Sequence, residues 1–320
     1  MRDTILYDSA MRLFGDHVSP QLLARAESGT WPEALWEAVT EAGYLDVLAD
    51  GPAGMAEAVT ILRAAGHHAA PIPLPETMLA RWLCGAAGID APAGPLSVAL
   101  GMADAAPWGR NAAAVVIAGE DSVAIIDRVM MWERGANIAG EPRDRLTGFD
   151  PRAVSLPNSV SADTVFGVGA VMRAAQMAGA MEAALDLSTR YANDRVQFGR
   201  PIGKFQAIQQ QLALLAEEAA AALVAVESAA QCIAEGRSSA DFAMAAAKIR
   251  AGEAAGRVAE IAHQVHGAIG FTEEHSLHHL TRRLWSWRDE FGDEAYWALS
   301  LGRLVAKAGG VGLWPLITET

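Results

Sequence analysis

Apolar residues recur at helical spacing in the first and last thirds of the chain, and in short β-favouring runs only between them. Over residues 1–90 the pattern predicts several short helices. Trp31-Pro32-Glu33 places a proline at a first helical turn, and Leu35, Trp36, Val39, Ala42 and Leu45 follow at steps that share one face. Gly43 and Gly51 read as stops, and Pro71, Pro73 and Pro75 break the chain before another helix around Glu76–Cys84. Residues 91–165 change character. Val115-Val116-Ile117 and Val123-Ala124-Ile125-Ile126, separated by Gly119-Glu120-Asp121, predict a hairpin. Val129-Met130-Met131-Trp132 and Ala153-Val154-Ser155-Leu156 are candidates for further strands.

From residue 166 onward the helices are long. One is predicted from Phe166 to Asp194 and a second from Phe205 to Ala234. In the second, Ile208, Leu212, Leu215, Ala219, Leu223 and Val226 step by three and four, and Gly236 supplies a stop. A third, Ala240–Val265, points Phe242, Ile249, Val258 and Ile261 inward, and a fourth follows Gly292. The predicted fold is mainly α: an N-terminal helical domain (1–90), a small, shortened β domain (91–165) and a C-terminal four-helix bundle (166–320).

Composition narrows the function classes. The 320 residues are 52% hydrophobic and carry a net charge of −13. A field of that sign disfavours nucleic acid and anionic lipid as partners. The N-terminal MRDTILYDSAMRLF has no apolar stretch of signal-peptide length, and no run approaches the roughly 20 apolar residues of a membrane helix. Cys84 and Cys232 stand far apart and form no disulfide framework. A cytoplasmic protein is expected.

Two segments interrupt the helical background. Arg190–Ile208 joins two long helices and combines Arg195, Arg200 and Lys204 with Gly199, Gly203 and Pro201. Guanidinium forks beside glycine-opened backbone suit phosphate; a basic turn of this kind also reads as a solvated connection. His263–His279 contains His263, His266, His275, His278 and His279, five of the eight histidines. His275, His278 and His279 could ligate a metal, but no cysteine or committed carboxylate accompanies them and no metal is assigned. They read equally as polar groups at a helix cap or subunit contact.

Together the two segments resemble the acyl-CoA dehydrogenase superfamily. Arg195-Val-Gln-Phe-Gly-Arg-Pro-Ile-Gly-Lys-Phe-Gln-Ala-Ile208 matches its R-x-x-F-G-x-x-I-x-x-x-Q-x-x pattern. Gln264-Val-His-Gly-Ala-Ile-Gly-Phe271 matches its Q-x-x-G-G-x-G-F pattern, with Ala268 replacing the second glycine. The resemblance is strong over 165–300, fainter over 1–90 and poor in the middle. It implies FAD held partly across a subunit interface. Arg195 would meet the pyrophosphate of a neighbour's FAD, Gln197 and Phe198 would lie beside the cofactor, and Gln264 and Gly267 would meet the rest of the dinucleotide.

Catalysis in this family requires a carboxylate to remove the proton α to a thioester while the flavin takes hydride from the β carbon. At the family's usual spacing from Ala268 stands Phe291, and a second base position near the start of the first bundle helix holds Gly169, beside Ala170 where an arginine is usual. Neither Phe291 nor Gly169 takes a proton. Glu290, one residue earlier, is the nearest candidate base. The family's T-E-x-x-x-G-S-D-like and W-x-T/S stretches, which line the flavin ring, are not found in 91–165. The motifs retained are those a subunit presents to a neighbour's FAD. The expected function is FAD-dependent dehydrogenation of an acyl-CoA thioester. The chain would act as one subunit beside an unlike acyl-CoA dehydrogenase subunit that supplies the base, or as a homo-oligomer with a relocated base. The alternative is a non-catalytic homologue.

Overall fold

The computed structural model describes residues 4–100, 105–119, 122–126, 131–148, 152–155 and 160–318. Five helices open the chain: α1 (Thr4–His17), α2 (Pro20–Glu27), α3 (Glu33–Glu41), α4 (Met55–His67) and α5 (Leu74–Ala86). Pro32 sits at the N-cap of α3, and Gly43, at φ 73, turns the chain out of it. Leu45 therefore lies beyond the helix, in a short 3-10 turn, although it is as buried as the periodicity requires.

The strands follow: β1 (Leu96–Ala99), β2 (Ala105–Pro107), β3 (Ala114–Ala118), β4 (Ser122–Ile126), β5 (Met131–Glu133), β6 (Arg143–Gly148) and β7 (Arg152–Ser155). They form a four-stranded sheet in the order β1-β3-β4-β7 and a three-stranded sheet in the order β2-β6-β5. The predicted hairpin is present, with β3 and β4 antiparallel and Val116 opposite Ile125. Glu120, Asp121, Val129, Met130 and Leu156, which belonged to these predictions, lie outside the described residues.

The remainder is helical. α6 (Ala162–Asp194) leads through a tiny hairpin, β8 (Val196–Gln197) and β9 (Arg200–Pro201), into α7 (Gln206–Ala234); α8 (Ala240–His266), α9 (Leu277–Asp289) and α10 (Glu294–Thr318) follow. α6, α7 and α8 pack on one another, α9 lies against α6 and α8, and α10 lies on α8. The sequence pattern leaves α9 unannounced. Its buried face includes His279, Thr281, Arg283 and Ser286, so polarity there marks ion pairing rather than exposure. Phe242 and Ile249 are only half-buried, and the inward face of α8 is largely alanine: Ala247, Ala251, Ala254, Ala255 and Ala262. Helices meet closely through such small residues. At the α4–α6 crossing, a Cβ on Gly66 would lie 2.0 Å from Gln176 O, and one on Gly179 would lie 1.8 Å from Arg63 O. One apolar core runs continuously from the N-terminal helices through β1 and β3 into the bundle. No described helix is long and apolar enough to cross a membrane.

Candidate active site

The two motif segments lie at one end of the bundle. Arg195 caps α6, its N–H donating to Tyr191 O at 2.8 Å, while its own carbonyl accepts from Ile202 N at 2.8 Å. The β8–β9 hairpin turns through Phe198 (φ 52) and Gly199 (φ 79). Arg195, Gln197 and Phe198 all face solvent, and Phe198 is 92% exposed. Four residues before Arg195, the Tyr191 ring stacks on His266 with centroids 4.7 Å apart and meets His275 edge-on at 6.2 Å. That contact ties the end of α6 to the end of α8. α8 stops at Gly267, whose φ of 63 and ψ of −143 suit glycine, and a Cβ there would meet nothing within 4 Å. Gln264 and Gly267 line a cavity of about 680 Å³ together with His263, Phe271 and Trp285. An amide side chain and bare backbone opening onto such a space fit the tail of a dinucleotide.

Phe291 and Gly169, the expected base positions, lie toward the other end of α6, and they face each other. Phe291 adopts a left-handed backbone, φ 54, and its ring lies directly over Gly169. A Cβ on Gly169 would sit 2.4 Å from Phe291 Cε1. Phe166 meets Phe291 at 6.1 Å and stacks on Trp297 at 5.7 Å. The loop is fastened from below. Trp297 Nε1 donates to Phe291 O at 2.8 Å, and buried Lys248 Nζ donates to Arg288 O at 2.6 Å and to Gly292 O. Burial pulls the Lys248 ammonium down to about 8, against the supporting charge of Glu294 and Glu290. The Phe291 ring fills the space over Gly169.

Glu290, the candidate base, points the other way. Its Oε1 accepts from Arg143 Nε at 2.8 Å, and its Oε2 lies 2.8 Å from Arg173 Nη2. Arg173 is fully buried on α6 and also pairs with Glu76 of α5. Arg143 opens β6, and before it Asn137 Nδ2 donates to Glu141 Oε2 at 3.0 Å. Glu141 also accepts from Trp287 Nε1 at 3.1 Å and lies 3.1 Å from Arg283 Nε. Burial alone would raise the Glu141 pKa, but the Arg283, Arg143 and Arg173 charges pull it below the usual carboxylate range. Farther along, Glu27 of α2 takes His279 at 2.8 Å, Arg282 and Arg283. Against its partial burial, the His279 and Arg282 hydrogen bonds and the Arg283 charge hold Glu27 at about 2. This network joins the β domain to α2, α5, α6 and α9. Sequence reasoning missed Arg143, Arg173, Glu76, Glu141 and Lys248. A signal existed for two of them: Arg173 stands alone in Val171-Met172-Arg173-Ala174-Ala175, and Lys248 follows Ala245-Ala246-Ala247.

The histidines serve locally. His275 Nδ1 accepts from Leu277 N at 3.2 Å, His278 Nδ1 bonds His275 O at 2.7 Å, and His279 belongs to Glu27. No cluster of three or more potential metal ligands occurs among the described residues.

An FAD would meet two different ends. The tail end offers Arg195, Gln264 and Gly267 on open surface. At the other end, the β domain pairs directly with the loop before Phe291, through Arg143 and Glu290.

Residues 160–294 match the model of the acyl-CoA dehydrogenase C-terminal domain. Over 299 residues, 87% of this chain and 89% of the relative, the sequence is 31% identical to acyl-CoA dehydrogenase IpdE2 of Mycobacterium tuberculosis. Among solved structures, the fold superposes on the ChsE4-ChsE5 complex from Mycobacterium tuberculosis with a TM-score of 0.79 and 22% identity, covering 95% of this chain and 97% of that one. It superposes on butyryl-CoA dehydrogenase from Megasphaera elsdenii with a TM-score of 0.78 and 18% identity, covering 95% and 99%. The two motifs, the architecture and a near full-length relative agree: the chain belongs to the acyl-CoA dehydrogenase family.

Proposed function

We propose that this chain is one subunit of a cytoplasmic, FAD-dependent acyl-CoA dehydrogenase, and that an unlike homologous chain supplies the base and the flavin-ring half of the site. One observation carries this reading: the Phe291 ring occupies the space over Gly169, so the two positions where the family places its carboxylate close on each other. FAD, when bound, supplies the hydride acceptor for α,β-desaturation of a thioester. This chain's own part is to hold the cofactor's tail. Arg195 pairs with pyrophosphate oxygens, Gln264 and the Gly267 backbone meet polar edges, and Gln197 and Phe198 cover the cofactor from the hairpin. Glu290 acts as an anchor between Arg143 and Arg173, because a carboxylate placed between two guanidiniums must break both contacts to reach a substrate carbon.

The relatives support an unlike partner. The ChsE4-ChsE5 structure is a complex, and this chain presents large apolar side chains such as Phe198 and Phe271 at the surface within its motifs. The test is an absorbance spectrum and a dye-reduction assay on the purified chain, alone and co-expressed with a longer family member encoded beside it. Straight-chain, branched and steroid-side-chain thioesters serve as substrates. Flavin and turnover only in the mixed assembly are expected. Turnover by the single chain that disappears in Glu290→Gln, with flavin retained, would make the chain a complete enzyme with a relocated base.

A further inference from the structure

α10 has two apolar faces, and the chain uses only one of them. The inner face packs on α8, with buried Trp297 against Ala245. The outer face carries Ala295, Leu299, Gly302 and Ala306, all exposed and spaced four, three and four residues apart. That spacing lines one side of a helix. Past the kink at Gly309, Val311 is 95% exposed and Trp314 70% exposed. A surface helix ordinarily turns charge outward, and a helix that is apolar all round is a buried one. Among the described residues nothing covers this face, and no helix is long and apolar enough to cross a membrane. Gly302 sharpens the point. Glycine disfavours a helix interior relative to alanine, and a Cβ at 302 would meet nothing within 4 Å. The chain itself does not need that residue to be small, whereas a second backbone approaching α10 does.

The charges of α10 select the occupant. Asp293 and Glu294 stand at its start, and between residues 295 and 318 the only charged side chains are Arg303 and Lys307. A helix with acids at one end and bases along its second half is complementary to a copy of itself running the other way. With the crossing at Gly302, Lys307 of one helix comes within about one turn of exposed Asp293 on the other. The 25 residues of α10 span roughly 37 Å. An isologous contact along that length would bury on the order of 500 Å² on each copy, about 1,000 Å² together, which is what a specific interface requires. The face also stands apart from the motif hairpin. Ser300 and Leu304 share a cavity with Ser161 and Thr164 at the start of α6, and the 33 residues of α6 put its other end roughly 50 Å away. An unlike subunit at the motif end leaves α10 free. We propose that α10 is the surface through which two copies of this chain pair, antiparallel and crossing at Gly302. The proposal rests on the reading of the motif end as the contact with an unlike subunit.

Sedimentation velocity of the purified chain over a wide concentration range tests it. A dimer of twice the chain mass is expected. Gly302→Glu sets two carboxylates against each other at the crossing and is expected to weaken pairing about a hundredfold. Gly302→Lys should do the same with two ammonium groups. Mixed in equal amounts, the two variants should pair again, because each charge then faces its opposite. A side chain at 302 meets no neighbour within the chain, so far-ultraviolet circular dichroism should be unchanged in both variants. A wild-type chain that stays monomeric overturns the proposal. So does a dimer indifferent to Gly302→Glu, or a pair of variants that fails to recover on mixing. A Gly302→Glu chain that loses an unlike homologous subunit rather than its own copy also overturns it, and gives the face to that subunit. The functional reading fails separately, if no assembly containing the chain ever carries flavin, whatever the mass of the chain alone.

Discussion

At its two ends α6 meets opposite conditions. Near its start, Gly169 and Arg173 are sealed beneath Phe291 and a cross-domain ion network. At its finish, Arg195 and the hairpin tip stand in solvent beside an open cavity. One helix thus joins a region whose charges pair with one another to a region whose polar side chains face solvent. The sealed end must keep its partners, because a buried charge without one is expensive. The open end can lose a side chain at little structural cost. On the function proposed above, that asymmetry separates a scaffold role from a binding role, and each end can be tested against the other.

The largest effect is expected at the sealed end. Arg173→Met removes a fully buried guanidinium and leaves Glu76 and Glu290 without their shared cation. Breaking a buried pair in this way costs about 3–5 kcal/mol. Urea unfolding should show that loss, and a shift below about 1 kcal/mol would mean that water or rearrangement already supports the network. Arg195→Ala at the open end is the matching change. Stability should stay within about 0.5 kcal/mol, while FAD retention in the mixed assembly falls by roughly tenfold to a hundredfold, the effect of losing a charge-assisted hydrogen bond of about 1.5–3 kcal/mol. Unchanged flavin content would remove Arg195 from the site.

A smaller change probes the plug. Gly169→Ala pushes a Cβ against the Phe291 ring and is expected to cost about 1–3 kcal/mol through overpacking. Adding Phe291→Leu should return part of that loss, so the two substitutions should not be additive. Additive losses in thermal or urea unfolding would show that ring and glycine do not oppose each other.

The open end was far more legible in the sequence than the sealed one. Arg195, Phe198, Gln264 and Gly267 sit in contiguous motifs, where spacing along the chain is enough to identify them. The long helices were equally plain, because α7 repeats its apolar face over seven turns or more. Glu76, Glu141, Arg143, Arg173 and Glu290 come from four separate places in the chain and meet only in the folded state. Periodicity assigns charges to the surface, so it hid both this network and α9, whose buried face carries His279 and Arg283. Phe291 and Gly169 could be singled out by motif spacing alone. That they fit against each other required coordinates.

The mildest way to separate the two ends is pH. At the open end, burial lowers the pKa values of His263, His266, His275 and His278 below the ordinary 6.5, and the charges of neighbouring histidines add to this for His263, His275 and His278. Above about pH 6.5 these rings are neutral in the folded and unfolded chain alike, so they add no pH dependence there. As the pH falls below that value the unfolded chain takes up protons that the folded one resists, and their contribution to stability declines until the folded values are passed. The sealed end responds elsewhere. Glu27, held at about 2, and Glu141, also lowered, contribute stability that is complete above the unfolded carboxylate value of 4.5 and is lost only as the pH falls through their folded values. Of these two sets of groups, acid between pH 6.5 and 4.5 therefore acts on the histidines alone; His67 and His68 at the end of α4, which burial also lowers, respond in the same range. Hydrogen exchange across that range should show protection falling first around the end of α8 and residues 267–278, with the amides of α6 around Arg173 unchanged. Simultaneous loss at both ends would mean that the histidine cluster and the ion network unfold as one unit, and the contrast between them would not extend to stability.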